Sequence, residues 1–193
     1  MRLNKTVSSV VALVVLACAA NSFALTIQFE DLTAGSSYNV GQTFSTSSIP
    51  ATVQGITGGK AFVNNTNLAG GAGQEIGIQN ATLNFNFGLL DGLSMQFGET
   101  FNAGSVSLMI NGIANSGTDF ANLAGSIGGV SVFVVPTGTN KGALFFMGNI
   151  TSFAIGGNDV YVDNIVASQV PEPATLAMLG LGGLALIRKK RAA

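Results

Sequence analysis

The seven residues Ala81-Thr82-Leu83-Asn84-Phe85-Asn86-Phe87 alternate strictly, with Leu83, Phe85 and Phe87 on one side and Thr82, Asn84 and Asn86 on the other. Successive side chains of an extended chain point to opposite faces, so this spacing suits a strand with one dry face and does not suit a helix. Related runs recur along the chain at 25–29, 38–44, 51–54, 60–63, 75–78, 93–97, 105–110, 130–135, 143–147, 150–155 and 160–166. Between them stand turn formers, among them Asp91-Gly92, Asn111-Gly112, Gly148-Asn149 and Gly156-Gly157-Asn158. Asn-Gly pairs close hairpins because both residues tolerate positive φ. The run 130–135 is apolar on both faces and reads as a central strand. Residues 119–123 read as one helical turn capped by Thr118. Ten to twelve short strands at this spacing predict an all-β fold, an antiparallel jelly-roll-like β-sandwich, whose two packed sheets limit exposed edges. The turns keep no fixed period, which argues against a solenoid.

The two ends read differently. At the front, Arg2 and Lys5 precede an apolar stretch at 7–20 and then Asn21-Ser22-Phe23-Ala24. This is the layout of a secretory signal peptide over 1–24, cleaved after Ala24. A rival reading takes Val15-Leu16-Ala17-Cys18 as a lipobox with Cys18 lipidated. At the back, Pro171-Glu172-Pro173 is followed by an uncharged apolar run at 174–187 and then by Arg188, Lys189, Lys190 and Arg191. The two prolines hold their neighbours extended, so no helix runs through them. The apolar run makes a helix of roughly 21–26 Å, short of the ~30 Å hydrocarbon core but able to span with the basic side chains reaching to the headgroups. The basic cluster would stay on the cytoplasmic side as a membrane stop, with everything before it outside, a layout that suits a permanent anchor as well as a processed signal.

This three-part tail resembles the PEP-CTERM sorting signal of exopolysaccharide-producing Gram-negative bacteria, with Pro171, Glu172 and Pro173 matching its motif. The resemblance covers 170–193. It implies a transient partner, an exosortase, which cuts near the motif while the chain is anchored in the inner membrane with its body in the periplasm. The body then goes to the cell surface or the extracellular matrix. The expected organisation is therefore a signal peptide at 1–24, a β-sandwich domain at 25–169 and a sorting signal with a short transmembrane helix at 170–193.

Composition narrows what the body can do. Six of the eight basic residues lie in the two ends, so the body sets Lys60 and Lys141 against eight carboxylates, a net charge of about −6. Such a surface cannot supply the phosphate contacts on which nucleic-acid affinity rests. Histidine is absent from the whole chain, and Cys18 is its sole cysteine. The body therefore has no imidazole base, no thiolate and no disulfide, which rules out Ser-His-Asp and Cys-His chemistry. A carboxylate pair could hydrolyse glycosides, but no local pattern marks one, and the chain reads as non-enzymatic. Sugar sites usually stack rings on Trp or Tyr; here there is no Trp, and Tyr38 and Tyr161 are the two candidates. Thr residues form no Thr-x-Thr array of the kind an ice-binding face needs.

One constellation could hold an ion. Glu30 and Asp31 end the first strand, while Asn158-Asp159 and Asp163-Asn164 lie on the last, and first and last strands of a jelly roll come close. Hard oxygens at Glu30, Asp31 and Asp163 would suit a structural Ca²⁺. Val162-Asp163-Asn164-Ile165 also looks like the last strand of calcium-bearing carbohydrate-binding jelly rolls. No other cofactor is expected. The expected function is that of an exported surface or matrix protein, with a structural or adhesive body. The alternative is a carbohydrate-binding module associated with exopolysaccharide.

Overall fold

The computed structural model describes residues 23–100 and 105–169. The signal segment before Phe23, and the sorting motif, apolar run and basic cluster from Val170 on, lie outside the described residues. Ala24–Gln169 forms one compact unit.

Among the described residues there are twelve strands, no α-helix and one 3-10 turn. The strands are β1 (Phe23–Ile27), β2 (Ser37–Asn39), β3 (Thr43–Thr46), β4 (Ile49–Asn64), β5 (Glu75–Phe85) and β6 (Leu90–Glu99). They continue as β7 (Val106–Ile110), β8 (Ile113–Gly117), β9 (Gly125–Ile127), β10 (Val130–Gly138), β11 (Lys141–Ile150) and β12 (Phe153–Gln169). The predicted all-β class is what the chain forms. Several separate short runs fuse, however: 51–54 and 60–63 both lie in β4, 75–78 and 81–85 in β5, and 153–155 and 160–166 in β12. Gly156-Gly157-Asn158 is accordingly not a turn; it is an irregularity within β12, where the register to β5 shifts. Gly148-Asn149 likewise sits inside β11.

The strands join in the order β2-β4-β5-β12-β6-β11-β10-β9, with β1 and β7 also pairing β12, β3 pairing β4, and β8 pairing β7. The ten registers that link β2 through β12 are all antiparallel, as at Val53↔Leu83 and Leu144↔Met95. The long strand β12 is the spine. Its first half, 153–157, lies between β5 and β7, and its later residues lie beside β6. Consecutive residues Phe153–Gly156 and Val160–Asp163 are buried, as expected of a strand covered on both faces. By contrast 130–135 lies between β11 and β9 but is not covered on both faces. In β10, Val130 and Val132 are buried while Phe133 and Val135 face water, because an apolar run cannot by itself tell a second dry face from an exposed one.

The core collects the inward side of each strand, including Ile27, Val53, Ile78, Leu83, Leu108, Leu144, Phe146 and Val162. The aromatic rings pack against one another at Phe97–Phe120 and Phe146–Phe153, edge to face at 5.0 and 5.1 Å. The 3-10 turn Phe120–Leu123 buries Phe120 and Leu123. Its cap is Asp119 and not Thr118: Asp119 Oδ1 accepts from Ala121 N at 2.7 Å. Glu99 Oε1 accepts from Phe120 N at 2.9 Å and ties the turn to β6.

Candidate functional site: carboxylates beneath the 65–74 loop

The chain between β4 and β5 is rich in Asn and Gly and cannot extend the sheet, so it folds over the neighbouring strands. Glu75, the first residue of β5, organises it. Its Oε1 accepts from Thr66 Oγ1 and Leu68 N at 2.9 and 3.0 Å, and its Oε2 from Ala69 N at 2.8 Å. The carboxylate is 1% exposed. The loop passes directly over β6 at Gly98, where an added Cβ would run into the Leu68 carbonyl.

Two further carboxylates come to the same loop. Asp163 on β12 is 2% exposed, and its Oδ1 accepts from Asn164 N at 2.7 Å. Its other oxygen points at Gly71, and a Cβ there would collide with it. Glu30 reaches from the end of the first strand, with Oε1 accepting from Gln74 N at 2.8 Å and filling the space where a Gly73 side chain would stand. Gln74 Oε1 is buried with no hydrogen-bond partner among the described residues. Burial, with the charges of Glu75 and Glu30 adding to it, pushes the Asp163 carboxyl up to about 6. Neither lysine of the body answers this charge. No salt bridge joins the described residues, and Lys60 Nζ lies 5.8 Å from the Phe62 ring centre instead.

Asp31 is employed elsewhere. Its Oδ1 accepts from Thr46 Oγ1 and its Oδ2 from Ser47 N, both at 2.7 Å, fixing the turn between β3 and β4. Its slight burial works in the other direction, but these hydrogen bonds hold the carboxyl below the usual range. Of the residues expected to meet, then, Glu30 and Asp163 share the loop and Asp31 does not. Glu75 joins them, although nothing in the sequence sets it apart from a solvated glutamate at a strand end. Asn164 borders the cluster in an amide row, accepting from Gln28 Nε2 at 3.3 Å and donating to Gln96 Oε1 at 2.8 Å. Asp159 lies at the β12 irregularity, where its carbonyl accepts from Thr100 N at 3.3 Å. Among the described residues no three acidic groups converge closely enough to hold a metal ion by themselves. Any ion here would therefore need amide or main-chain oxygens beside Glu30 and Asp163.

The two tyrosines do not offer an open platform. Tyr161 is 8% exposed and meets Phe62 edge-on at 5.9 Å. Tyr38 stacks on Phe44 at 4.2 Å. A separate open hollow of about 270 Å³ lies at the other end of β5, with Thr52, Asn84, Asn86, Thr151 and Ser152 among its lining residues. Among the described residues no helix is long and apolar enough to cross a membrane.

Comparison with known proteins places the tail. Residues 169–191 match the family model of the PEP-CTERM protein-sorting motif. The chain thus carries a PEP-CTERM sorting signal at the position of Pro171, Glu172 and Pro173, and this motif implies export and exosortase-dependent sorting. Among solved structures the chain is similar to CsCBM6-3 from Clostridium stercorarium, determined in complex with cellobiose. That likeness is 21% in identity, covers 75% of this chain and 93% of the other, and has a TM-score of 0.33. No curated protein sequence matches the chain.

Proposed function

We propose that this is an exported, non-enzymatic protein of the cell surface or extracellular matrix, delivered by an exosortase acting on its tail. Its body serves as a structural or adhesive module, and its strands close into a jelly-roll-like sandwich. The observation that carries this reading is the sorting motif at 169–191. The segments 1–24 and 170–193 act as signal peptide and temporary anchor, and Arg188, Lys189, Lys190 and Arg191 hold the cytoplasmic end. Support for the sandwich comes from β12, which pairs with β7 through Phe153–Gly157 and with β6 from Val160 on, and from the single cluster of buried apolar residues that the strands share. The test is to express the full chain, tagged just after Ala24, with and without an active exosortase. A shorter, released product is expected when the enzyme is present, and replacing Pro171, Glu172 and Pro173 by Ala should block it. Full-length chain still in the membrane beside an active enzyme would overturn the reading.

Within the body, Glu30, Asp163 and Gln74 Oε1 supply hard oxygens with no cation to answer them, which favours a structural Ca²⁺ at the loop. Bound Ca²⁺ would supply charge compensation there, and Glu75 would keep the loop in place. Calcium titration of residues 25–169, followed by melting temperature, tests this. An unchanged melting temperature at millimolar Ca²⁺ would remove the ion from the account.

A second reading, carbohydrate binding, draws on the hollow lined by Thr52, Asn84, Asn86, Thr151 and Ser152. Hydroxyls and amides suit sugar hydroxyls, and the uncharged lining suits a neutral glycan. A glycan array on residues 25–169 decides between the readings. Retention that disappears in Asn84→Ala and Asn86→Ala would favour the sugar, and no retention would leave the structural module.

A further inference from the structure

The outward side of β10 and β11 carries apolar groups where a soluble sheet would carry polar ones. Phe133 is 50% exposed, Phe145 41% and Met147 63%. These residues are in register: Phe133 opposes Phe145, which opposes Ser94 on β6, which opposes Val166 on β12. The neighbouring row runs Ser131, Met147, Gly92 and Ser168, and the row on the other side runs Val135, Ala143, Gln96 and Asp163. The exposed side chains of Phe133, Val135, Phe145, Met147 and Val166 thus form one patch across four strands, on the order of 400 Å². The one charged residue within those three rows is Asp163, which is buried against the 65–74 loop, so the exposed part of the patch is uncharged.

We propose that this face takes a second copy of the chain. A body at about −6 repels its copies over most of its surface, and this uncharged patch is where two can approach and bury apolar area. Patch on patch, with the flanking Ser and Gln rows, the contact reaches roughly 1,000 Å² in total, the lower end of a specific interface. The association is therefore weak and reversible, which suits a component that gains strength by multiplicity. Charge also selects the orientation. On the ladder between β6 and β11, Lys141 lies at the end opposite Gly98, and Asp91 lies at the other end, beside the Gly92–Met147 pair. A two-fold that sets the strands of the two copies antiparallel places each Lys141 near the Asp91 end of its partner, whereas the parallel arrangement sets like charges together.

The core and the strand pairings described above lie within the compact unit Ala24–Gln169, so residues 25–169 can be studied alone. Sedimentation velocity from micromolar to millimolar concentration should show a reversible monomer–dimer equilibrium. Phe133→Asp and, as a milder change at the most exposed position, Met147→Lys should each weaken it by roughly tenfold or more. Ile113→Lys, at an exposed apolar residue outside the patch, should leave it unchanged. Lys141→Asp should weaken association, and adding Asp91→Lys should restore it. A body that stays monomeric at millimolar concentration overturns the proposal, as does a dimer indifferent to Phe133→Asp and Met147→Lys. Glycan retention by a monomeric body that Met147→Lys abolishes would reassign the face to a polysaccharide.

Discussion

Beneath the 65–74 loop, carboxylates are drawn out of water, while on the outward side of β10 and β11 two phenylalanines and a methionine are left in it. Both departures cost free energy, but they are compensated at different levels. Glu75 is compensated inside the fold, by three hydrogen bonds from the loop it organises. Asp163 is compensated only in part, which is why burial raises its pKa. The apolar patch is compensated by nothing in the fold, so its balancing contact has to come from outside. Changes at the first region should therefore register in stability, and changes at the second in association.

The comparison breaks most visibly at Glu75. Glu75→Ala strands Thr66 Oγ1, Leu68 N and Ala69 N, and should cost about 4 kcal/mol. Urea unfolding of residues 25–169 measures it. A loss below 1 kcal/mol would mean that water replaces the carboxylate freely.

Next in size is the pH response of Asp163. Its folded pKa near 6 exceeds the value of 3.8 expected of the open chain, so the folded state holds a proton that the unfolded state has released. Its contribution to stability is then greatest below about pH 4, falls as pH rises to 6, and levels off above. The melting temperature of calcium-free protein should drop by roughly 5 °C across that window. Asp163→Asn should flatten the profile. Millimolar Ca²⁺ at pH 7 should recover the loss in the parent but not in the variant, and a parent profile already flat without calcium would count against the buried carboxylate.

Gly71→Ala is a finer probe, because its Cβ meets the end of a side chain and not backbone. A displacement of Asp163 and Asn164 should lower stability by about 1–2 kcal/mol, visible as faster amide exchange in the 65–74 loop. The smallest effect belongs to the patch. Phe133→Ser and Met147→Ser should change the monomer's stability by less than about 0.5 kcal/mol, even as they weaken self-association. A large loss of stability there would show that the patch belongs to the fold after all.

Much of this was legible in the chain. Alternation at 81–87 and 106–110 located strands and their dry faces, since period two is a local property of extended backbone. The sorting motif was legible for a similar reason: an exosortase signal must be recognisable as a linear stretch. Fusion of short runs into β4, β5 and β12 was not legible, because Gly and Asn mark turns and strand irregularities alike, and only the neighbouring strand decides which forms. The run 130–135 failed in the same way, as sequence records that a residue is apolar and not what covers it.

What the sequence determined by itself was chemistry and address. An absence of histidine, a body with two lysines against eight carboxylates, and a tail of prolines, apolar residues and basic residues are properties of composition and order. What only the tertiary structure decided was company: that Glu75 joins Glu30 and Asp163 while Asp31 turns to Thr46 and Ser47, and that Phe133 meets Phe145 across a strand pair facing water. Contacts between residues far apart in the chain depend on strand order and register, and those follow from how the whole core packs.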